Sequence, residues 1–384
     1  MSIDRRAEQR RALSPEREEA FRVAEKKLQF PIEVYQLGER FEGLPANLAS
    51  ITMLDVTRGP GCHYGVKNIF VPIIRHMEEE RSPDGKTRLV VSPETAILVE
   101  PSTGNGWVAF SDAADMLGYE HMVVMPDGLP EPRYRHPQRR KVEIFRTPKE
   151  GYAEKMSEEI EKLIKGNRQR VRNGEKIYVS PDHARKNAEI TIETMSELGR
   201  QLLENIRESQ ECIRVVISMG NGASLCAVGE YVKKYNGNAK VVATESFAYG
   251  GGYDYFAKGR GRMAYSELFG IDPGHSDLMA KFSAFGTNAP IGKEMPLQIR
   301  AMDCDLIDDY VLFGDEKVLE AYLGLQPRED HLRNALALPN YSQLPPVLYK
   351  MYGNSTLANI AAASHFTNRG ERVVAMAYDG RQNY

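Results

Sequence analysis

The sequence is poor in the features that mark several classes of protein. Its four cysteines stand far apart and none forms a Cys-x-x-Cys pair; they are Cys62, Cys212, Cys226 and Cys304. This spacing excludes a disulfide framework and a cysteine zinc site, and it predicts reduced thiols. No apolar run reaches the roughly 18 residues that a membrane-spanning helix needs, and the N-terminal stretch lacks the apolar segment of a secretory signal. We therefore expect a cytoplasmic protein with no place in the membrane.

An excess of either charge is also missing. The net charge is −3 over 384 residues, so no overall field attracts nucleic acid or an anionic membrane. The basic run at residues 133–141 is followed by an acidic helix predicted at 153–162, and we interpret it as a solvated surface. The sequence thus predicts a protein that binds small molecules, with no metal site and no nucleic-acid partner.

The chain is long enough, and at 42% hydrophobic residues apolar enough, to build two lobes. Short apolar strands alternate with amphipathic helices; the strands are predicted at 95–100, 121–126, 141–145, 213–219 and 239–245. This alternation predicts an α/β fold whose parallel sheets are covered by helices. Ahead of it, Ser14-Pro15-Glu16 predicts the start of an exposed helix over residues 15–28. We interpret that helix as an arm that clasps a lobe or contacts a second subunit.

Small polar residues follow three of the apolar segments and open a helix each time, at 102–106, 220–224 and 353–359. In open α/β sheets, ligands bind outside the carboxyl ends of the strands, where such loops meet. In the second loop, Gly220-Asn221-Gly222-Ala223-Ser224, backbone N–H groups at a helix N-terminus would bind an anion, and Ser224 adds a hydroxyl. No Lys or Arg lies between Gly220 and Glu230, which excludes the lysine-bearing P-loop of nucleotide-binding proteins. The loop therefore predicts a phosphate monoester site.

Two other interpretations of this loop stay open at the level of the residues. Glu245 ends the next strand, where a ribose-binding acid of an NAD-dependent dehydrogenase belongs. Against that reading, Leu225 stands where the third glycine of a dinucleotide fingerprint is expected. The loop could also be a plain connection between a strand and a helix.

Lys67 begins a predicted helix directly after the flexible stretch at residues 59–65. A single lysine is usually a solvated surface residue. An amine near the positive end of a helix dipole, however, loses part of its preference for the charged form. The neutral amine is a nucleophile that can bond to an aldehyde.

Four motifs, taken in order, resemble those of the cysteine synthase family. These are fold type II enzymes, which include the tryptophan synthase β-like proteins and use pyridoxal 5′-phosphate (PLP). The family's S-V-K, E-P-T-S-G-N-T, G-T-G-G-T and G-I-S-S-G-A correspond here to Gly65–Lys67, Glu100–Gly106, Gly220–Ser224 and Gly353–Ala358. The resemblance covers residues 45–384. It implies two lobes, each a mostly parallel sheet flanked by helices. Residues 1–54 would form an N-terminal extension and the first part of the large domain, 55–187 the small domain and 188–384 the large domain.

The resemblance also assigns roles to single residues. Lys67 would bind PLP covalently and act as the base at Cα. The substrate's carboxylate would be held by Ser102, Thr103, Gly104 and Asn105. The phosphate would be held by Gly220, Asn221, Gly222, Ala223 and Ser224. Asn105 would also contact the ring oxygen of PLP, and Ser355 would face its pyridine nitrogen.

A hydroxyl at the pyridine nitrogen makes PLP a weaker electron sink than a carboxylate there would. That favours loss of a leaving group from Cβ, and the resemblance therefore implies β-elimination or β-replacement on an amino acid, in a homodimer. Threonine synthase-, deaminase- and racemase-like reactions remain alternatives, as does a catalytically inactive binding protein. At Ser355, the helix cap is the alternative role. Departures from the family pattern at Gly65, Gly106 and Leu357 indicate a specialised relative.

Overall fold

The structure, a computed structural model, describes most of the chain. The described residues are 12–28, 32–57, 69–80, 90–102, 106–129, 134, 142–148, 152–206, 212–246, 296–303, 305–313, 344–378 and 380. Four residues assigned to the site from the sequence lie outside them, namely Lys67, Thr103, Gly104 and Asn105.

The larger of two sheets has six strands. They are β1 (Glu33–Gln36), β2 (Thr52–Asp55), β7 (Ile213–Ser218), β8 (Lys240–Ser246), β9 (Asp309–Phe313) and β10 (Arg372–Ala377). Their order across the sheet is β1-β2-β10-β7-β8-β9. Only β1 runs antiparallel to its neighbour; the other pairs are parallel. Because chain order reverses between β10 and β7, the carboxyl end of β7 lies at the switch point where ligands of such sheets bind.

The smaller sheet has four parallel strands. They are β3 (Ala96–Pro101), β4 (Glu120–Pro126), β5 (Glu143–Thr147) and β6 (Ile177–Val179), in the order β5-β4-β3-β6. β3 lies between β4 and β6, so its carboxyl end opens inside the sheet, away from an edge. The parallel α/β architecture predicted from the sequence is confirmed.

Twelve α-helices and one π-helical turn are described. The helices are α1 (Pro15–Lys27), α2 (Leu37–Arg40), α3 (Ala46–Ala49), α4 (Phe70–Glu79), α5 (Gly106–Met116), α6 (Tyr152–Lys165), α7 (Asn167–Arg172), α8 (Ala188–Asn205), α9 (Glu230–Tyr235), α10 (Pro296–Asp303), α11 (Pro346–Met351) and α12 (Asn354–Thr367). The π-helical turn, Leu225–Gly229, runs directly into α9. In the described part of the chain, no helix combines the length and the apolar character needed to cross a membrane.

Helices cover both faces of each sheet, which explains why the central strands are mostly apolar and buried on both faces. All six residues of β7 are buried. Val216 packs in the cluster that contains α12, while Val215 and Ile217 pack on the opposite face. In the smaller sheet Leu98 and Val99 divide in the same way between the two faces.

One sequence prediction needs correction. Residues 353–359 were expected to form a loop, but Gly353 is the N-cap and α12 begins at Asn354. The stretch is small-residue-rich because the helix lies close against β7 and β10, where side chains such as Leu357 and Ala358 are buried. The sequence also gave no signal for the short strands β1, β2 and β6.

The N-terminal helix clasps the small lobe, one of the two roles expected for it. The Ser14 hydroxyl caps α1 by accepting a hydrogen bond from the Arg17 N–H at 3.2 Å. The Arg17 guanidinium binds the buried Glu78 carboxylate of α4, with Nε 2.8 Å from Oε2. It also donates to the Leu117 carbonyl beyond α5 at 2.8 Å. Tyr119 Oη donates to the same Glu78 carboxylate at 2.6 Å.

We expect Arg17→Ala to lower the free energy of unfolding by about 3 kcal/mol, because it leaves the Glu78 carboxylate buried without its counter-ion. Urea denaturation measures this as a lower midpoint at unchanged slope. Arg22→Ala on the same helix is the control, since Arg22 pairs with Glu19 in an exposed ion pair, and exposed pairs contribute little. Equal midpoints for the two variants would contradict the clasp.

Candidate functional site

The 220–224 loop follows β7 at the switch point, and its central position, 222, accommodates only glycine. Gly222 has φ +89°, in the left-handed region that side chains disfavour. A Cβ atom there would lie 2.6 Å from both the Gln298 nitrogen and the Leu297 carbonyl carbon of α10. Glycine at 222 therefore lets the loop and the start of α10 pack backbone to backbone.

The same loop opens a helix, and two N–H groups at this helix start are bonded within the loop. The Ala223 N–H donates to Asn221 Oδ1 at 3.0 Å, and the Cys226 N–H to the Gly222 carbonyl at 3.0 Å. The π-helical turn that follows is a rare form often found at functional sites. A helix start is a general anion-binding arrangement, and binding of a phosphate by residues 220–224 stays a prediction.

α10 is held firmly against this loop. The Gln298 side-chain amide donates to the Gly220 carbonyl, and Cys226 Sγ lies 3.2 Å from the Leu297 carbonyl oxygen. Arg300 forms a two-pronged bond to Glu230 at the start of α9, at 2.8 and 2.9 Å. The hydrogen bond to Glu230 raises the pKa of Arg300 above its usual value. These contacts fix the position of α10 relative to the 220–224 loop.

A buried polar cluster lies beneath the site and joins three strands to α12. Ser218 Oγ of β7 and Thr244 Oγ1 of β8 each lie 2.8 Å from Asn359 Oδ1. Asn359 Nδ2 donates to the Met376 carbonyl of β10 at 2.8 Å. Buried polar groups are stable only when bonded in this way, so Asn359 fixes α12 relative to the carboxyl ends of β7 and β8.

Ser355 lies in the first turn of α12, beside the end of β7. Its carbonyl oxygen is 3.1 Å from Ser218 Oγ, and the residue is buried. The N-cap is Gly353, so capping does not occupy the Ser355 hydroxyl. Within the described residues that hydroxyl has no hydrogen-bond partner, and its contact with a ligand stays a prediction.

Ser102 follows β3 and marks the second strand end at the site. Its N–H donates to the Val124 carbonyl of β4 at 3.0 Å, and its Oγ accepts from the Trp107 N–H of α5 at 3.0 Å. The hydroxyl therefore accepts one of the N–H groups in the first turn of α5. Binding of a carboxylate by Ser102 stays a prediction.

His183 is the site residue that sequence reasoning missed. It follows the three-residue strand β6 and contacts both strand ends: Nδ1 lies 2.5 Å from Glu100 Oε1 of β3, and Nε2 lies 2.8 Å from Asn221 Nδ2 in the 220–224 loop. His183 thereby joins β3 of the smaller sheet to the 220–224 loop of the larger sheet. The only available signal was a Pro-Asp-His turn, which is weak without a recognised strand before it.

Glu245 does not lie free for a ribose. Its carboxylate is buried at the end of β8 and accepts a hydrogen bond from Tyr310 Oη at 2.8 Å. Glu245, the acid on which the interpretation as an NAD-dependent dehydrogenase depended, is thus already bonded within the protein.

Comparison with known proteins gives a consistent result. The family described as pyridoxal-phosphate dependent enzyme matches residues 73–332, more than half of the chain. Lys67 and Ser355 lie outside the matched stretch. Cystathionine beta-synthase of Saccharomyces cerevisiae is 23% identical over 186 residues, which are 46% of this chain and 33% of that protein. The match therefore spans about a third of that relative's length.

Two solved structures share the fold over nearly the whole chain. A hydrogen sulfide-producing enzyme from Fusobacterium nucleatum is 16% identical, with a TM-score of 0.59 over 92% of this chain and 97% of that one. O-ureido-L-serine synthase is 15% identical, with a TM-score of 0.58 over 94% of this chain and 92% of that one. At these identities the likeness concerns the fold, and it confirms the two-lobed fold type II architecture predicted from the sequence.

Proposed function

The chain belongs to the pyridoxal-phosphate dependent enzyme family, and from this premise we propose that it carries out β-elimination or β-replacement. Its substrate would be an amino acid with a leaving group at Cβ, as for a cysteine synthase-like lyase or transferase. Family membership decides against the NAD-dependent dehydrogenase. The names of the similar proteins support the reaction type, because cystathionine and O-ureido-L-serine carry sulfur or oxygen at an amino acid's β-carbon.

The observation that carries the proposal is the position of Ser355. A buried serine without a capping duty stands beside the end of β7, on the same switch point as the 220–224 loop. When bound, PLP supplies an electron sink for negative charge at Cα. A serine hydroxyl facing its ring nitrogen weakens that sink in comparison with a carboxylate. With this weaker sink, the substrate would release a group from Cβ before Cα regains a proton.

The other roles are assigned by position. The 220–224 loop would hold the phosphate through the N–H groups of its helix start and the Ser224 hydroxyl. Lys67 would hold the cofactor covalently and move the proton at Cα; it precedes by three residues Phe70, whose ring contacts His183. Ser102, Thr103, Gly104 and Asn105 would bind the substrate's carboxylate, with Asn105 also at the ring oxygen of PLP.

We also propose that the enzyme is a homodimer in the cytoplasm. The support is the family resemblance and the small number of widely spaced cysteines. Within the described residues, neither Cys212 nor Cys226 forms a disulfide. Such thiols suit a reducing compartment.

Absorption spectra of the PLP-loaded protein test the reaction type. We expect O-acetyl-L-serine to replace the visible band of bound PLP by a new band, because its acetate can leave from Cβ. L-Alanine, which has the same backbone and no leaving group, is the control and should not give that band. If no β-substituted amino acid changes the spectrum, or if alanine gives the same change, the proposed reaction is wrong.

A further inference from the structure

A continuous chain of hydrogen bonds connects the two strand ends of the site. It runs from the buried Glu100 carboxylate through His183 and Asn221 to the Ala223 N–H, with distances of 2.5, 2.8 and 3.0 Å. Glu100 belongs to the small sheet, whereas Asn221 and Ala223 belong to the 220–224 loop of the large sheet. His183 is the link between them.

The directions of these bonds are mutually consistent in only one way. Asn221 Oδ1 accepts the Ala223 N–H, so the amide NH₂ of Asn221 faces His183 and needs an acceptor there. His183 Nε2 therefore carries the lone pair and Nδ1 the proton, which points at the Glu100 carboxylate. A neutral imidazole in this tautomer satisfies all four groups.

The turn that carries His183 is shaped to present it. Asp182 has φ +45°, which is uncommon for a residue other than glycine, and its N–H donates to Glu100 Oε2 at 3.3 Å. Thr191 Oγ1 donates to the His183 carbonyl at 2.7 Å. A strained backbone persists only where its surroundings hold it, and such residues cluster at functional sites.

The imidazole ring is also fixed by packing. It lies edge to face against the Phe70 ring at 5.4 Å between centroids, and Phe70 is fully buried at the start of α4. With one face packed and both nitrogens bonded, the ring has a single orientation. It can therefore transmit the position of β3 to the loop.

From this arrangement we infer that His183 is a positioning residue for the cofactor's phosphate. It sets the Asn221 side chain, and through it the Ala223 N–H, so that the 220–224 loop keeps its cradle shape beside β3. The inference rests on the proposed function, since it assigns the loop's ligand to the phosphate of PLP. The role is distinct from catalysis, because His183 acts through Asn221.

The test compares the affinity of the apoprotein for PLP with its affinity for pyridoxal, which lacks the phosphate. The ratio of the two affinities measures how much phosphate binding by the 220–224 loop contributes. His183→Phe keeps an aromatic ring beside Phe70 and removes both hydrogen bonds. We expect the ratio to fall about ten-fold, with pyridoxal affinity unchanged. His183→Gln keeps one donor and one acceptor and should restore the ratio.

A second route breaks the chain without isolating Glu100. Asn221→Ser keeps an oxygen for the Ala223 N–H and loses only the donor to His183, and we expect a similar fall in the ratio. The double variant, His183→Phe with Asn221→Ser, should fall no further than either single variant, because both remove one shared link. If His183→Phe does not fold, the test rests on the other two variants: Asn221→Ser should lower the affinity ratio, and His183→Gln should leave it near the wild-type value.

The outcomes separate the two proposals. A wild-type protein that prefers PLP no more than pyridoxal would overturn the phosphate assignment and the proposed function with it. A strong wild-type preference that survives in the folded variants would overturn the positioning role alone. An equal loss of PLP and pyridoxal affinity in those variants would also overturn it, because His183 would then have a structural role only.

Discussion

Lys67→Ala should remove the visible absorption band of bound PLP and lower turnover by about 10³-fold or more. The lysine amine is proposed both to bind the cofactor and to act as the base at Cα, and general acid–base catalysis alone contributes roughly 10²–10⁴-fold. Borohydride treatment of the wild-type protein should fix PLP to the peptide that contains Lys67, which mass spectrometry of the digest detects.

The matched control is Lys176→Ala, a lysine of the small lobe that pairs with Glu120 at the surface. It should keep both the band and the activity. A band that survives Lys67→Ala would show that another lysine binds the cofactor. A colourless wild-type protein that does not take up added PLP would favour the inactive binding protein.

Gly222→Ala should lower PLP affinity by at least about 10²-fold and destabilise the fold by about 2–5 kcal/mol. The added methyl group meets the backbone of α10 at 2.6 Å, and overpacking of this kind costs about 1–3 kcal/mol. The left-handed backbone adds about 1–2 kcal/mol for any residue with a Cβ. Because α10 is anchored by Gln298 and Arg300, the loop has to move instead. Titration with PLP and urea denaturation measure the two effects.

Gly174→Ala separates the two causes. Gly174 has φ +72° and nothing within 4 Å of an added Cβ, so this variant meets the backbone penalty without the clash. We expect a modest loss of stability and unchanged PLP affinity. If Gly222→Ala behaves like Gly174→Ala, the close approach of α10 does not shape the loop.

The sequence was informative where one short segment determines its own conformation. The 220–224 loop was predicted from glycines between an apolar strand and a helix, and the structure places it at the end of β7. The Ser14-Pro15-Glu16 start of α1 was likewise confirmed, since a cap depends on residues within one turn.

Features that depend on distant parts of the chain were not predictable in the same way. His183 matters because the three-residue strand β6 places it between Glu100 and Asn221. Glu100 lies 83 positions from His183 in the chain, and Asn221 lies 38 positions from it. Ser355 was identified from a motif, but its place in a helix was missed, because Gly353, Asn354 and Ser355 favour a loop when read locally. Packing of α12 on the sheet overrides that preference.

The polar cluster around Asn359 has a consequence for how such a protein can diverge. Hydrogen bonds among Ser218, Thr244 and Asn359 join the sheet to α12 beneath the site. None of these bonds involves a residue of the 220–224 loop. Substitutions in those loops therefore leave in place the hydrogen bonds that hold α12 against β7, β8 and β10. This arrangement suits a family that acquires new substrates, because loop residues can change while the hydrogen-bonded cluster that supports the site is kept.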